Sequence, residues 1–254
     1  MRNVTETVKQ LIIINILFFV GTLMVGDPAY KILAMFFPEN RDFQFWQPIT
    51  HMFMHGGFMH IFFNMFALYS FGSALEHFWG SKKFLFFYIS CGLGAALLHT
   101  GINYYYFNDA VNTLVAHGFS KTEILQILNE GKINTQWQEL LTVSEFQNFT
   151  SAFMGTMVGA SGAIYGIIVA FAFMFPNAEL ALMFIPVPIK AKYFVPGLVL
   201  VDLYLGVSGQ SIFGSGTGIA HFAHVGGALF GFLGIGRKHS LIITDGIKIG
   251  RIVN

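Results

Sequence analysis

Apolar side chains gather into six runs along the 254 residues, each long enough to cross a bilayer core, which takes about 17–25 residues. The runs lie near 10–26, 59–78, 83–100, 152–175, 193–208 and 219–236. The fifth is the weakest, since Pro196 and Asp202 interrupt it, and Pro186 and Pro188 keep the apolar residues ahead of it from joining it as one helix. The first run follows Lys9 but has no small-x-small site at its end, so it reads as an uncleaved anchor rather than a secretory signal. The pattern predicts an all-α polytopic membrane protein, a bundle of six transmembrane helices, with a single membrane domain over 1–240 and a short cytoplasmic tail over 241–254.

Two segments between the runs are long. Residues 27–58 contain Pro28, Pro38 and Pro48 with Trp46 and several Phe, the pattern of irregular structure lying partly in the interface. Residues 101–151 are polar enough to stand outside the lipid as an insertion rather than a second domain. Within them Ser120-Lys-Thr-Glu123 followed by Gly131 predicts a capping box and a C-cap around one short amphipathic helix.

Basic residues are retained on the cytoplasmic side of a membrane, so their distribution orients the bundle. With the N-terminus inside, the cytoplasmic segments hold Arg2, Lys9, Lys82, Lys83, Lys190, Lys192, Arg237, Lys238, Lys248 and Arg251, against Lys31, Arg41, Lys121 and Lys132 outside. This predicts a multi-pass cell-membrane protein with both termini cytoplasmic and an active site open to the extracytoplasmic side. Composition agrees: 54% of residues are hydrophobic and only 11% charged, where soluble domains carry about 25%. Thirty Phe and 28 Gly suit lipid contact and close helix approach. A net charge of +1 says nothing about nucleic acid, which is not expected as a partner. The one cysteine, Cys91, has no intrachain partner for a disulfide.

Polar and ionisable side chains inside spans are expensive and mark function or interhelical pairing. Three clusters stand out. In the fourth run, Gly159-Ala-Ser161-Gly-Ala-Ile-Tyr165-Gly166 could be a small-residue packing face. At about 100° per residue, however, Gly155, Gly159, Gly162 and Gly166 lie roughly 100–160° from Ser161, while Tyr165 lies only about 40° from it. A glycine ridge can thus seat the helix while Ser161 and Tyr165 point elsewhere, as a nucleophile lining a cavity must. In the sixth run, His221-Phe-Ala-His224-Val-Gly-Gly227 leads to Gly231, and His224 shares a face about 60° wide with Gly227 and Gly231. That face can press backbone on backbone while bringing an imidazole to a serine on the fourth run. His221 is rotated off it, toward water or the cavity mouth.

The third cluster, His51-x3-His55-x4-His60-x3-Asn64, enters the second run, where His60 and Asn64 are one helical turn apart and can donate hydrogen bonds to a developing oxyanion. A helix entering near Ala152 would carry Ser161 about 13 Å down, to the outer half that also holds His60 and His224.

At these residues the chain resembles the rhomboid family of intramembrane serine proteases, of the bacterial type, over roughly 45–236. The resemblance rests on Trp46 ahead of the histidines, His60-x3-Asn64, Gly72-x3-Glu76, Gly-x-Ser161-Gly with Tyr165, and His224-x2-Gly-x3-Gly. It implies a six-helix bundle and a Ser–His dyad without a carboxylate, cleaving single-span membrane proteins near their outer membrane boundary. Ser161 is then the nucleophile, His224 the base, and His60, Asn64 and the Ser161 backbone N–H the oxyanion hole, with Tyr165 the ring beside His224. His51 and His55 look structural, and Glu76 looks like a helix-packing hydrogen bonder. The family often has Trp-Arg where this chain has Trp46-Gln47, which puts the anchoring of residues 27–58 in question; the 101–151 segment exceeds the basic family plan. Transmembrane protein substrates and the lipid bilayer are the implied partners, with no cofactor and no metal; the oligomeric state stays open. One alternative is a catalytically silent relative that binds membrane clients. Another is a metal protein or transporter, which the scattered histidines and the lack of His-Glu-x-x-His disfavour.

Overall fold

The computed structural model describes residues 4–182, 185–209 and 218–249, with 181–182, 185–187, 219 and 236–249 described by backbone alone. Helix α1 (Glu6–Val25) opens with free N–H groups, which no helix can satisfy internally. Glu76 meets them: its carboxylate accepts from the Thr7 and Val8 backbone N–H groups at 2.9 Å each, and from the hydroxyls of Thr5 at 2.5 Å and Ser81 at 2.7 Å. The packing role expected of Glu76 is thus a cap joining two spans.

A short helix α2 (Asp27–Leu33) and a turn of helix α3 (Gln47–Thr50), running into a 3₁₀ turn at His51–Phe53, occupy the first long connection. The second span is α4 (Phe58–Ala67), a π-helical stretch at Leu68–Gly72, and α5 (Ser73–Trp79). Helix α6 (Ser81–Ala116) has 36 residues and runs well past the expected end at 100. At 1.5 Å per residue it is about 54 Å long, against roughly 30 Å of hydrocarbon, so its last turns protrude.

Those turns nucleate the insertion. Helices α7 (Lys121–Asn129), α8 (Trp137–Leu140) and α9 (Val143–Met154) pack with them around Phe37, Phe107, Leu114, Trp137, Phe149 and Phe153. The Ser120 hydroxyl accepts from the Glu123 N–H at 3.1 Å, which is one of the two hydrogen bonds of the predicted capping box. A reciprocal box at α9 went unpredicted: Thr142 and Glu145 exchange hydrogen bonds, and the Thr142 backbone N–H holds the Glu145 carboxyl below its ordinary range. One expected helix is therefore several, with a core of their own.

The fourth span departs from expectation. Instead of one helix from Ala152, α9 ends at Met154, residues 155–160 are irregular, and α10 (Ser161–Met174) starts at the serine itself. An antiparallel hairpin, β1 (Glu179–Leu182) with β2 (Ile185–Lys190), follows, the prolines 186 and 188 lying in strand rather than helix. Helix α11 (Ala191–Ser208) and helix α12 (Ile219–Ile249) complete the described fold, α12 continuing through most of the segment expected as a tail. By length and hydropathy α1, the 58–79 span, α6 and α11 can each cross a membrane, while the fourth and sixth spans are met by shorter apolar helices at 161–174 and 220–235.

Helices α6, α10 and α12 meet at the centre through glycines. A Cβ on Gly227 would overlap the Gly162 carbonyl, one on Gly231 would lie 2.6 Å from the Gly166 Cα, and one on Gly226 would lie 3.0 Å from the Gly94 oxygen. By contrast α11 buries only one stripe, Ala191, Val195, Asp202, Leu205 and Gly206, and leaves Val201, Leu203, Tyr204 and Val207 exposed. An apolar cavity of about 650 Å³ lies between α10, α11 and α12, lined on α11 by Val195, Pro196, Val199 and Leu200.

Candidate active site

Ser161 is set by the irregular segment that precedes it. Met157 forms a two-way backbone bridge with Met35, at 2.9 and 3.0 Å, and the Gly159 N–H donates to the His51 carbonyl at 2.9 Å. Gly159 has φ 123°, a conformation open to glycine, and a Cβ there would stand 2.8 Å from His60 Nε2. The first external segment therefore fixes the backbone that delivers the serine to the start of α10. Ser161, first in the helix, also has its N–H among those with no intrahelical acceptor.

From α12, His224 points its Nε2 at Ser161 Oγ, 3.0 Å away. Tyr165, one turn beyond the serine, stacks on the imidazole with centroids 4.3 Å apart and planes 8° from parallel. Its hydroxyl donates to Asp202 Oδ2. Asp202 Oδ1 takes His224 Nδ1 at 3.0 Å and His221 Nδ1 at 2.5 Å. A carboxylate accepts, so both Nδ1 atoms carry protons and His224 Nε2 is left as acceptor for the serine hydroxyl.

Three sequence expectations change here. The resemblance implies an imidazole without a carboxylate, yet Asp202, only 4% exposed, lies on its far side. His221 does not face open water; it is paired with the same carboxylate. The histidines are less scattered than they read, since Asp202, His221 and His224 bring their ligand atoms within 4.8 Å. The Oδ1–Nδ1 separations of 2.5 and 3.0 Å are those of hydrogen bonds, shorter than the roughly 3.3 Å between donors on a tetrahedral zinc with arms of about 2.0 Å. Sequence reasoning treated Asp202 only as a break in the fifth run. The signal was its being the sole acid there, which a span tolerates only with donors such as the histidines of the sixth.

His60 closes the opposite side, its Nε2 against Gly159 and its Nδ1 accepting from the Gly56 N–H at 3.4 Å. Asn64 is buried one turn on; its Nδ2 gives one proton to the His60 carbonyl at 2.9 Å and retains a second. His55 packs edge-on to His60 with ring centroids 5.0 Å apart. His51 is buried, donating Nδ1–H to the Gln47 carbonyl at 2.9 Å, and burial pushes its pKa down to about 4, so the ring stays neutral.

Gln47 answers the question raised by the missing arginine. Fully buried, it donates to the Lys31 and Asp42 carbonyls at 3.1 and 3.0 Å and accepts from the Phe36 N–H at 3.2 Å. Trp46 Nε1 donates to the Ile32 carbonyl at 2.8 Å. The amide supplies both donors and acceptors to loop backbone, which a guanidinium, a donor only, could not.

The chain matches the Rhomboid domain family over residues 42–122 and 138–237; the skipped residues fall within the insertion. It is 30% identical over 151 residues, 58% of its length, to the presenilin-associated rhomboid-like protein, mitochondrial, of Rattus norvegicus. It is 26% identical over 76% of its length to presenilin-associated rhomboid-like protein A, mitochondrial, of Danio rerio, and 25% over 73% to Rhomboid protein 1, mitochondrial, of Saccharomyces cerevisiae. These matches span 38, 38 and 39% of the relatives' own lengths. With its helical membrane architecture and a family match over most of its length, the chain belongs to the rhomboid family.

Proposed function

We propose that this chain is an intramembrane serine endopeptidase that cuts single-span membrane proteins near their outer membrane boundary. The observation that carries the reading is the 3.0 Å contact between His224 Nε2 and Ser161 Oγ, at the head of a helix within an apolar bundle. As Ser161 Oγ bonds to the scissile carbonyl carbon, its proton passes to His224 Nε2. The oxygen that gains negative charge is met by the Ser161 N–H, His60 Nε2 and the second Asn64 amide proton. His224 then returns the proton to the departing amine as the C–N bond breaks, and water releases the acyl group by the same path in reverse. The excess of basic residues on the segments taken as cytoplasmic supports an active site open to the outer side of the membrane.

Purified protein in detergent should react with a serine-directed fluorophosphonate probe and cleave a model single-span substrate, and Ser161→Ala should do neither while keeping its helical content. Proteolysis surviving in Ser161→Ala would refute the mechanism. A folded wild type that binds such substrates without probe labelling would favour the silent, client-binding alternative.

A further inference from the structure

Resting on that proteolytic reading, we propose that Asp202 is a positioning residue that makes the dyad a triad: its carboxylate holds His224 as the Nδ1–H tautomer and balances the charge that the ring gains. Neutral imidazole has one proton, and the nitrogen that carries it decides whether the other can act as base. With Nδ1–H donated to Oδ1 at 3.0 Å, Nε2 is free to take the Ser161 proton; no proton moves on to Asp202.

The carboxylate is itself fixed. Tyr165 donates to Oδ2, and His221 donates to Oδ1 at 2.5 Å, so three groups from α10 and α12 converge on one side chain from α11. An acid held 4% exposed in an apolar span is tolerated only with such donors, and here they do more than neutralise it. Tyr165 links both halves: its ring lies flat on His224 while its hydroxyl sets the carboxylate, fixing the imidazole in plane and in rotation. His221 is accordingly a second donor that keeps Asp202 in place, and its Nε2 takes no part in proton transfer.

The full chain in detergent would be compared as wild type, Asp202→Asn and Asp202→Glu, with kcat and KM on a fluorogenic single-span substrate and with ¹⁵N-histidine spectra. An amide at 202 offers one acceptor and a wrongly placed donor. We expect kcat of Asp202→Asn to fall by about a hundredfold or more with KM within about threefold, and Asp202→Glu to recover at least about tenfold of the loss. Should Asp202→Asn fail to fold, the spectra of Ser161→Ala decide, because they need no activity: His224 should show a protonated, hydrogen-bonded Nδ1 and a bare Nε2. Unchanged kcat in folded Asp202→Asn overturns the inference while leaving the Ser161–His224 reading intact; an Nε2–H tautomer in the spectrum overturns the inference, and probe labelling of Ser161 in the wild type then decides whether that reading survives. Loss of wild-type activity in EDTA with recovery in zinc would overturn it in favour of a three-ligand metal site.

Discussion

His60 approaches Ser161 across a gap that only glycine leaves open, since any Cβ at Gly159 would meet its Nε2. Removing one oxyanion donor slows acyl transfer by about 100- to 1000-fold elsewhere. His60→Ala should therefore lower kcat by roughly ten- to a thousandfold with helical content unchanged, measured by substrate cleavage beside circular dichroism. His51→Ala should act through stability instead, because the buried ring it removes holds the Gln47 carbonyl, while the backbone carbonyl that positions Gly159 is kept. At this scale spacing placed Ser161 off the face of Gly162 and Gly166 and His224 on the face of Gly227 and Gly231, and the 3.0 Å contact between the two side chains follows from those faces. Asp202 was not readable as a partner, because a lone carboxylate has no periodicity and its donors come from other helices. Gln47 was hidden likewise, for its three hydrogen bonds run to the backbone of an irregular segment, at Lys31, Phe36 and Asp42, where no periodicity points to it.

Between elements, the decisive contact is α10 against α12. A valine at Gly227 would force its Cβ into the Gly162 carbonyl, next in chain to Ser161, and must push the helices apart. Overpacking of this kind typically costs about 1–3 kcal/mol. A displacement on the order of 1 Å at a reacting pair costs about a hundredfold in rate. Gly227→Val should thus lower the melting temperature modestly and probe labelling of Ser161 severely, a ratio that simple loss of stability would not produce. This packing was legible from the glycine spacing alone. The break at 155–160 was not, because hydropathy sees 152–175 as one apolar run, whereas the break is held by Met35 and His51, over a hundred positions away in sequence. Treating that run as one helix put Gly155 and Gly159 on a wheel to which they do not belong.

For the whole molecule, the six-span reading fixes which face of the membrane each loop meets. In a Cys91→Ser background, cysteine at position 135 should be labelled by an impermeant maleimide from outside intact cells and cysteine at position 83 should not; the reverse pattern would turn the active site to the cytoplasm. The apolar helices were legible because lipid demands long apolar runs, and four of them are long enough to cross a membrane, but the folded insertion was not, since its core residues are spread from Phe37 to Phe153. That core has a thermodynamic consequence. Apolar contact between spans removes little surface from water, as lipid is already apolar, so the bundle is held by packing and hydrogen bonds. The Trp137–Phe149–Phe107 core, which gathers around the end of α6 that overruns the length of a span, is expected to differ: assembled in water, it withdraws aromatic surface and carries the heat-capacity change that bends a stability curve. Urea and cold should therefore act on the insertion before the bundle, and because α9 leads directly into residues 155–160, probe labelling of Ser161 should be lost at a urea concentration that leaves most helical content intact.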